Sequence, residues 1–224
     1  TVAEARREIL GRFGDWPKPA TPPPTVSVAA GAPSPQERTI KRDLTQATVT
    51  MGRRAIRQDN PEYFPLVVAN YILGGGSTSR LYQRVREEGG LAYSVFSYVS
   101  PGRYGATAIV GLQTRTAEVA RAVELTREQL ARMSREAVSD RELALAKSYL
   151  LGSFPLRLDT SSKVANFLVA VEEQGLGLDY ADRFKERVAK VTADDVQRVA
   201  GRYLTPQTFD VVIVGNIGPV SQAR

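Results

Sequence analysis

The sequence predicts an α+β fold, in which helices pack on one face of a largely antiparallel sheet to form a two-layer sandwich. Two observations lead to this prediction. Strand-like residue patterns are confined to three stretches, 37–57, 91–114 and 208–216, and helical periodicity fills most of the sequence between them. The resulting order of strands and helices lacks the regular alternation of a doubly wound parallel sheet.

The N-terminal 35 residues differ in composition from the rest of the chain. Residues 2–13 have apolar side chains at helical spacing and predict a short amphipathic helix. Residues 14–35 are rich in Pro, Gly and Ala, which is typical of an extended linker. We therefore divide the chain into a tail helix with a Pro-rich linker (1–35) and a domain (36–224).

The strand-like stretches predict which side chains face the core. Alternation within residues 37–57 predicts one or two strands. The residues on the face expected to be buried are Ala47, Val49 and Met51. Residues 91–100 and 103–114 flank Pro101-Gly102, a turn signal, and so predict a β-hairpin.

The helical stretches begin and end at recognisable signals. Asn60-Pro61 is expected to start a helix that ends at Gly74 to Gly76. A second helix is expected over Arg80 to Glu88, with Ser77 or Thr78 as its cap.

Two later helices carry capping boxes. In one, Ser139 is followed three residues later by Glu142; in the other, Thr192 is followed by Asp195.

The chain contains neither His nor Cys, which excludes several kinds of chemistry. Catalysis by Ser-His-Asp or Cys-His arrangements is impossible, and so are thiolate or imidazole metal sites. Carboxylates alone suit zinc poorly, so no metal site is expected in this chain.

The formal net charge is +6, and no run of five or six like charges occurs. We interpret this charge as a solvated, Arg-rich surface. Nucleic-acid binding is the less favoured alternative, and it would show a log-linear dependence on salt.

Two further features concern location. No apolar run reaches the roughly 18 residues of a transmembrane helix, so no membrane span is expected. The chain starts at Thr1 without a recognisable signal peptide, as a fragment or a processed product would. Bacterial periplasm and cytoplasm are both compatible with these features.

Three glycines, Gly74 to Gly76, precede Ser77 and admit three interpretations. A phosphate-binding loop would need a preceding strand and a Gly-Lys-Ser/Thr sequence, and neither is found here. A helix end with a tight corner is the simpler interpretation. The third is a loop whose bare backbone contacts a peptide or partner, because glycine permits close approach.

The stretch LGGGSTSRLYQRVREEGGLAYSVFSY, residues 73–98, resembles the C-terminal domain of the pitrilysin, insulinase and mitochondrial-processing-peptidase family of zinc metallopeptidases. Similar segments of that family correspond to TQATVTMGRRA, SDRELALAKSYLLGSF, VTADDVQRVAGRYL and FDVVIVGN. The resemblance covers about Glu37 to Gly218. The preceding helix and Pro-rich segment resemble the end of another half and the linker between halves.

The resemblance implies a role within a two-part enzyme. Members of this family close two similar halves around a chamber in which peptides are cleaved. One half carries His-x-x-Glu-His, which supplies zinc ligands and the general base. The present chain lacks His and resembles the other half. Zinc is therefore expected in a partner half or subunit, with no cofactor in this chain, a peptide as substrate, and a dimer as one arrangement.

The resemblance also implies which residues contact the substrate. The non-catalytic half of the family contributes an Arg and a Tyr seven residues apart, and Arg86 and Tyr93 match that pattern. The loop Gly74, Gly75, Gly76, Ser77 resembles a glycine-rich segment associated with substrate binding. Tyr98 and Tyr104 are the alternative tyrosines.

Three arrangements remain open under this resemblance. The chain is the non-catalytic half of a single-chain peptidase, or part of a separate non-catalytic subunit paired with a His-x-x-Glu-His subunit. The third arrangement is a structural assembly protein without proteolytic activity, because some respiratory-complex core proteins resemble the family.

Overall fold

The computed structural model describes residues 1–21 and 34–217. It contains a five-stranded sheet with the order β1-β5-β2-β4-β3. The strands are β1 (Glu37–Lys41), β2 (Gln46–Ala55), β3 (Ala92–Ser100), β4 (Ala106–Arg115) and β5 (Asp210–Gly215). The β1–β5 pair is parallel and the other three pairs are antiparallel, so the predicted largely antiparallel sheet is confirmed.

Helices account for most of the remaining described residues. They are α1 (Val2–Phe13), α2 (Tyr63–Gly74), α3 (Val119–Arg135), α4 (Asp140–Ser153), α5 (Ser161–Glu173), α6 (Tyr180–Lys190) and α7 (Ala193–Tyr203). A π-helical segment spans Tyr82–Glu88, and 3-10 turns span Thr116–Glu118, Phe154–Arg157 and Pro206–Thr208. Among the residues described, no helix is long and apolar enough to cross a bilayer.

One face of the sheet is buried and the other is largely open. In β2 the predicted inward residues Ala47, Val49 and Met51 have no solvent exposure, whereas Thr48 and Thr50 are exposed. Burial of each large apolar side chain contributes about 1.5–3 kcal/mol, so this alternation decides which face the helices cover. Thus the helices lie on one side of the sheet, as the α+β sandwich requires.

The helical layer is held together by apolar and aromatic contacts. α2 and α3 pack against the sheet and α7 packs against both of them, while α4 and α6 pack on the outer side of α2. An aromatic cluster joins α2, α6 and the 3-10 turn after α4, with Phe154 stacked on Phe184 at 4.5 Å and Phe64 edge-on to Phe184 at 5.7 Å.

The predicted helix starts are confirmed in part. The capping boxes at Ser139 and Thr192 are both formed. The helix expected from Asn60-Pro61 begins later, at Tyr63, because the Asn60 side chain accepts a hydrogen bond from the Glu62 amide (2.8 Å) and forms a turn instead of a cap.

The helix expected over Arg80 to Glu88 is also present, but most of it is π-helical. Its apolar residues Leu81 and Val85 are fully buried, whereas Tyr82 is only half-buried. The cap predicted at Ser77 or Thr78 is not formed. The residue directly before Arg80 is Ser79, and its hydroxyl donates to the Gly76 carbonyl (2.6 Å) instead of accepting from a helical amide.

Helix α1 is confirmed as an amphipathic helix, and it begins with a capping box between Thr1 and Glu4. It buries no residue, and its apolar side chains Ile9, Leu10 and Phe13 are all exposed. The division of the chain at residues 35 and 36 stays a prediction, because residues 22–33 of the linker lie outside the described residues.

Candidate functional site

The C-terminal end of α2 packs directly against β3. A Cβ atom at Gly74, the last residue of α2, would lie 2.6 Å from the backbone nitrogen of Ser97. The Asn70 amide donates a hydrogen bond to the Ser97 carbonyl (3.2 Å), and the Ser97 hydroxyl donates one to the Asn70 carbonyl (3.1 Å). Because these partners are buried, the two bonds fix the start of the loop Gly74–Ser77, here called the glycine loop, relative to β3.

The rest of the glycine loop folds against an aromatic ring. A Cβ atom at Gly75 would lie 2.6 Å from Cδ2 of Tyr71, and one at Gly76 would lie 3.1 Å from the Tyr71 hydroxyl. None of the loop glycines has a positive φ, so close packing rather than backbone strain requires glycine here. This geometry favours the helix-corner interpretation, and it leaves Gly75 and Ser77 exposed to a ligand.

Arg86 lies in the π-helical segment that follows the glycine loop. A π-helix closes i→i+5 hydrogen bonds, so its wider turns change the direction in which side chains leave the axis. The Arg86 guanidinium carbon lies 4.6 Å from the centre of the Tyr82 ring, and Nη1 donates a hydrogen bond to the Tyr82 hydroxyl. The Arg86 side chain is 38% exposed and therefore reachable from solvent.

β3 contains a β-bulge at its N-terminal end. Ala92 pairs with Thr114 of β4, and Ser94 pairs with the next residue along β4, Gln113. Tyr93 is therefore an extra residue that has no partner in the ladder. Such bulges are common at sheet edges and beside active sites, where they redirect a side chain, and β3 is an edge strand of this sheet.

The bulge decides the exposure of Tyr93. Strict alternation from the buried Val95 would turn the Tyr93 side chain toward the helices and into the core. Instead Ala92 occupies the buried position, and Tyr93 is 75% exposed. The local backbone thus presents a phenol hydroxyl to solvent at the edge of the sheet.

A short connection joins the two predicted site residues. Gly90 has a φ of 59°, a left-handed conformation that favours glycine, and the Leu91 amide donates to the Val85 carbonyl (3.0 Å). This anchors the π-helical segment to the start of β3. No hydrogen bond or ring contact joins Arg86 to Tyr93 in the part of the chain that is described, so a shared ligand would have to bridge them.

The alternative tyrosines lie farther along the hairpin. Tyr98 stacks on Phe96 with ring centres 6.0 Å apart, and Arg103 lies over the ring of Tyr104 at 5.7 Å. Each is 44% exposed, less than Tyr93. Sequence reasoning missed both the bulge and the contact of Tyr82 with Arg86. The adjacent apolar pair Leu91-Ala92, which breaks the alternation of β3, is the signal that could have revealed the bulge.

The donor set of this chain does not fit a zinc ion. Imidazole and thiolate ligands are absent from the sequence. Within residues 1–21 and 34–217, no group of three or more carboxylates is placed to hold a metal. No step of a reaction is therefore assigned to a metal on this chain.

A partly buried ion pair holds the start of the helix that carries Arg86. Arg80 Nε donates to Glu142 Oε1 (2.6 Å), and Nη2 donates to Oε2 (3.2 Å). Burial opposes ionisation of Glu142, but hydrogen bonds from Arg80 and from Ser139 outweigh it and lower its pKa to about 2. This pair therefore ties the π-helical segment to the N-terminus of α4.

We expect Glu142→Gln to lower the free energy of unfolding by about 1–3 kcal/mol at pH 7, because Arg80 loses its carboxylate while Gln keeps the capping geometry. The contribution is complete above the ordinary Glu pKa of 4.5 and is lost as the pH falls toward 2. Urea unfolding of both proteins at pH 7 and pH 3 measures it. Glu136→Gln, which removes an exposed pair with Arg132, is the control and should change little. A difference between wild type and Glu142→Gln that grows on acidification would contradict this assignment.

Comparison with known proteins agrees with this architecture. A family model described as the peptidase M16 inactive domain matches residues 1–150. An uncharacterized zinc protease of Streptomyces coelicolor is 33% identical over 72% of this chain and 35% of its own length. A non-peptidase homolog of Helicobacter pylori is 27% identical over 80% of this chain and 42% of its own length.

A solved structure shares the fold. The crystal structure of a peptidase M16 inactive domain from Pseudomonas fluorescens superposes with a TM-score of 0.86 at 24% identity, over 99% of this chain and 52% of that one. The chain thus spans between about a third and a half of the length of these relatives. The match over residues 1–150 shows that the chain belongs to the peptidase M16 inactive domain family.

Proposed function

We propose that this chain is the non-catalytic half of a zinc metallopeptidase. It closes a peptide-cleavage chamber with a half or subunit that carries His-x-x-Glu-His and the zinc ion. The observation that carries the proposal is the β-bulge, which turns Tyr93 out of the core and exposes its hydroxyl at the sheet edge next to the segment that bears Arg86.

The chemistry of peptide hydrolysis explains why these two side chains are useful. When a nucleophile attacks a peptide carbonyl, negative charge develops on the oxygen. The Tyr93 hydroxyl and the Arg86 guanidinium are hydrogen-bond donors that stabilise such charge, most strongly in a chamber from which water is excluded. Arg also suits peptide carbonyls because its planar group offers several donors.

The exposed part of the glycine loop has a supporting role in this proposal. Gly75 and Ser77 are exposed, whereas Gly74 is buried against β3. We assign the loop to contact with the substrate chain, with its position set by the packing of Gly74 and Gly76. Since the chain is one of two halves, a second polypeptide segment is its required partner.

A structural assembly protein is the second candidate, and a specific observation favours it. The Helicobacter pylori relative is named a non-peptidase homolog, although it matches 80% of this chain. In that case the same fold would pair with its partner without cleaving peptides. The name of the Streptomyces coelicolor relative, a zinc protease, favours the first candidate.

Reconstitution from separate halves tests the proposal. We expect this chain alone to bind no stoichiometric zinc and to cleave no unfolded peptide, because it lacks His and Cys. We expect cleavage when it is mixed with the His-x-x-Glu-His half from the same source. Elemental analysis and a quenched fluorescent peptide measure the two properties.

The control for this experiment replaces the Glu of His-x-x-Glu-His by Gln in the catalytic half, which must abolish cleavage by the mixture. Bound zinc and cleavage by this chain alone would overturn the proposal. A stable complex of the two halves that binds no zinc and cleaves nothing would support the assembly protein instead.

A further inference from the structure

Within the π-helical segment, Tyr82 lies four residues before Arg86 and contacts its guanidinium in two ways. The guanidinium carbon lies 4.6 Å from the centre of the Tyr82 ring, within the range of a cation–π interaction. Nη1 of Arg86 also donates a hydrogen bond to the Tyr82 hydroxyl. Tyr82 is half-buried, so its own ring has less rotational freedom than a fully exposed side chain and can restrict the Arg86 guanidinium.

Among the described residues, a further side-chain contact of Arg86 is weaker. The Glu87 carboxylate lies 4.0 Å from Nε of Arg86, at the limit of an ion pair, and both side chains are more than a third exposed. Exposed pairs of this kind are screened by solvent and hold a side chain poorly. The ring and hydroxyl of Tyr82 are therefore the contacts that restrict the Arg86 guanidinium.

We infer that Tyr82 is a positioning residue, which keeps the Arg86 guanidinium in one orientation before substrate binds. This inference rests on the proposed function, in which Arg86 donates to the substrate carbonyl. A free Arg side chain samples many rotamers, and ordering it on binding lowers the gain from each hydrogen bond. Tyr82 reduces that loss because it orders the guanidinium beforehand, as preorganised donors require.

A double-mutant cycle in the full-length protein with its zinc-bearing half tests this inference. We expect Tyr82→Leu to lower kcat/KM about tenfold and Arg86→Ala about 100-fold. If Tyr82 acts through Arg86, Tyr82→Leu has no further effect in the Arg86→Ala protein. Tyr82→Phe keeps the ring and loses the hydroxyl, so it should cost about threefold, and it tests the inference where Tyr82→Leu fails to fold. Equal effects of Tyr82→Leu with and without Arg86 would overturn the inference.

A second measurement does not depend on cleavage. Relaxation of the Arg86 Nε–H group in the zinc-free, ¹⁵N-arginine-labelled full-length protein reports the order of this side chain. We expect its order parameter to fall in Tyr82→Leu and to stay at the wild-type value in Tyr104→Leu, which removes the ring beneath Arg103 instead. Unchanged order of Arg86 in Tyr82→Leu would overturn the inference whatever the kinetics.

The two measurements separate the failure of the inference from that of the proposed function. Cleavage at the wild-type rate by Arg86→Ala would show that Arg86 takes no part in the reaction, and Tyr82 could then not contribute to catalysis through it. The order parameter then still decides whether Tyr82 holds the guanidinium.

Discussion

Tyr93→Phe, made in the proposed assembly of this chain with a zinc-bearing half, is expected to lower kcat about 100-fold and to change KM much less. The substitution removes one oxygen atom from a side chain that is 75% exposed, so it leaves the core and the sheet unchanged. The hydroxyl that is lost is the group proposed to donate to the developing oxyanion. A loss that falls on kcat is the signature of an interaction made mainly in the transition state.

Two matched tyrosines make this prediction specific. Tyr149→Phe removes a hydroxyl from an exposed residue of α4 and keeps the ring that stacks on Tyr71, so it should leave the rate unchanged. Tyr98→Phe tests the alternative tyrosine on β3, which lies beyond the bulge and stacks on Phe96. Steady-state kinetics with one peptide substrate compare the three variants. A wild-type kcat for Tyr93→Phe would show that Tyr93 does not contact the reacting group. A large loss of kcat in Tyr98→Phe would assign the hydrogen bond to the oxyanion to Tyr98 instead.

Local patterns in the sequence were enough to predict most of the elements. The inward face of β2 follows from the two-residue period of a strand, and the starts of α4 and α7 follow from capping boxes that span only four residues. Such signals depend only on neighbours in the sequence, so they can be recognised without knowledge of the tertiary structure. The start of α2 was misplaced because Asn60 caps helices and forms turns equally well.

The geometry of the candidate site depends on irregularities that periodic patterns hide. The bulge at Tyr93 interrupts the two-residue period of a strand, and the π-helical segment around Arg86 departs from the 3.6-residue period of an α-helix. The position of the bulge depends on how β3 pairs with β4, and the position of the π-helical segment depends on the burial of Leu81 and Val85. Both are contacts between residues that are distant in the sequence. Only a resemblance pointed to Arg86 and Tyr93. The bulge that exposes Tyr93 left one trace in the sequence, the apolar pair Leu91-Ala92, whereas the contact of Tyr82 with Arg86 could be learned only from the structure.

Gly74→Ala is expected to lower the free energy of unfolding by about 2–3 kcal/mol. The added Cβ atom would lie 2.6 Å from both the backbone nitrogen and the hydroxyl of Ser97, and 2.9 Å from a methyl group of Leu81. A backbone atom of a strand cannot move aside as a flexible side chain does, so α2 and β3 must separate. That movement also lengthens the two buried hydrogen bonds between Asn70 and Ser97.

Gly152→Ala is the matched control, and its effect should have the opposite sign. Gly152 lies in α4, where a Cβ atom would meet nothing within 4 Å apart from its chain neighbours and the backbone of its own helix, so Ala should stabilise the helix by up to about 1 kcal/mol. Urea unfolding of both variants gives the two changes. Because Gly74 is followed directly by the exposed part of the glycine loop, the separation of α2 from β3 should also raise KM for peptides. If Gly74→Ala were as stable as wild type, close packing against β3 would not explain the first glycine of the loop.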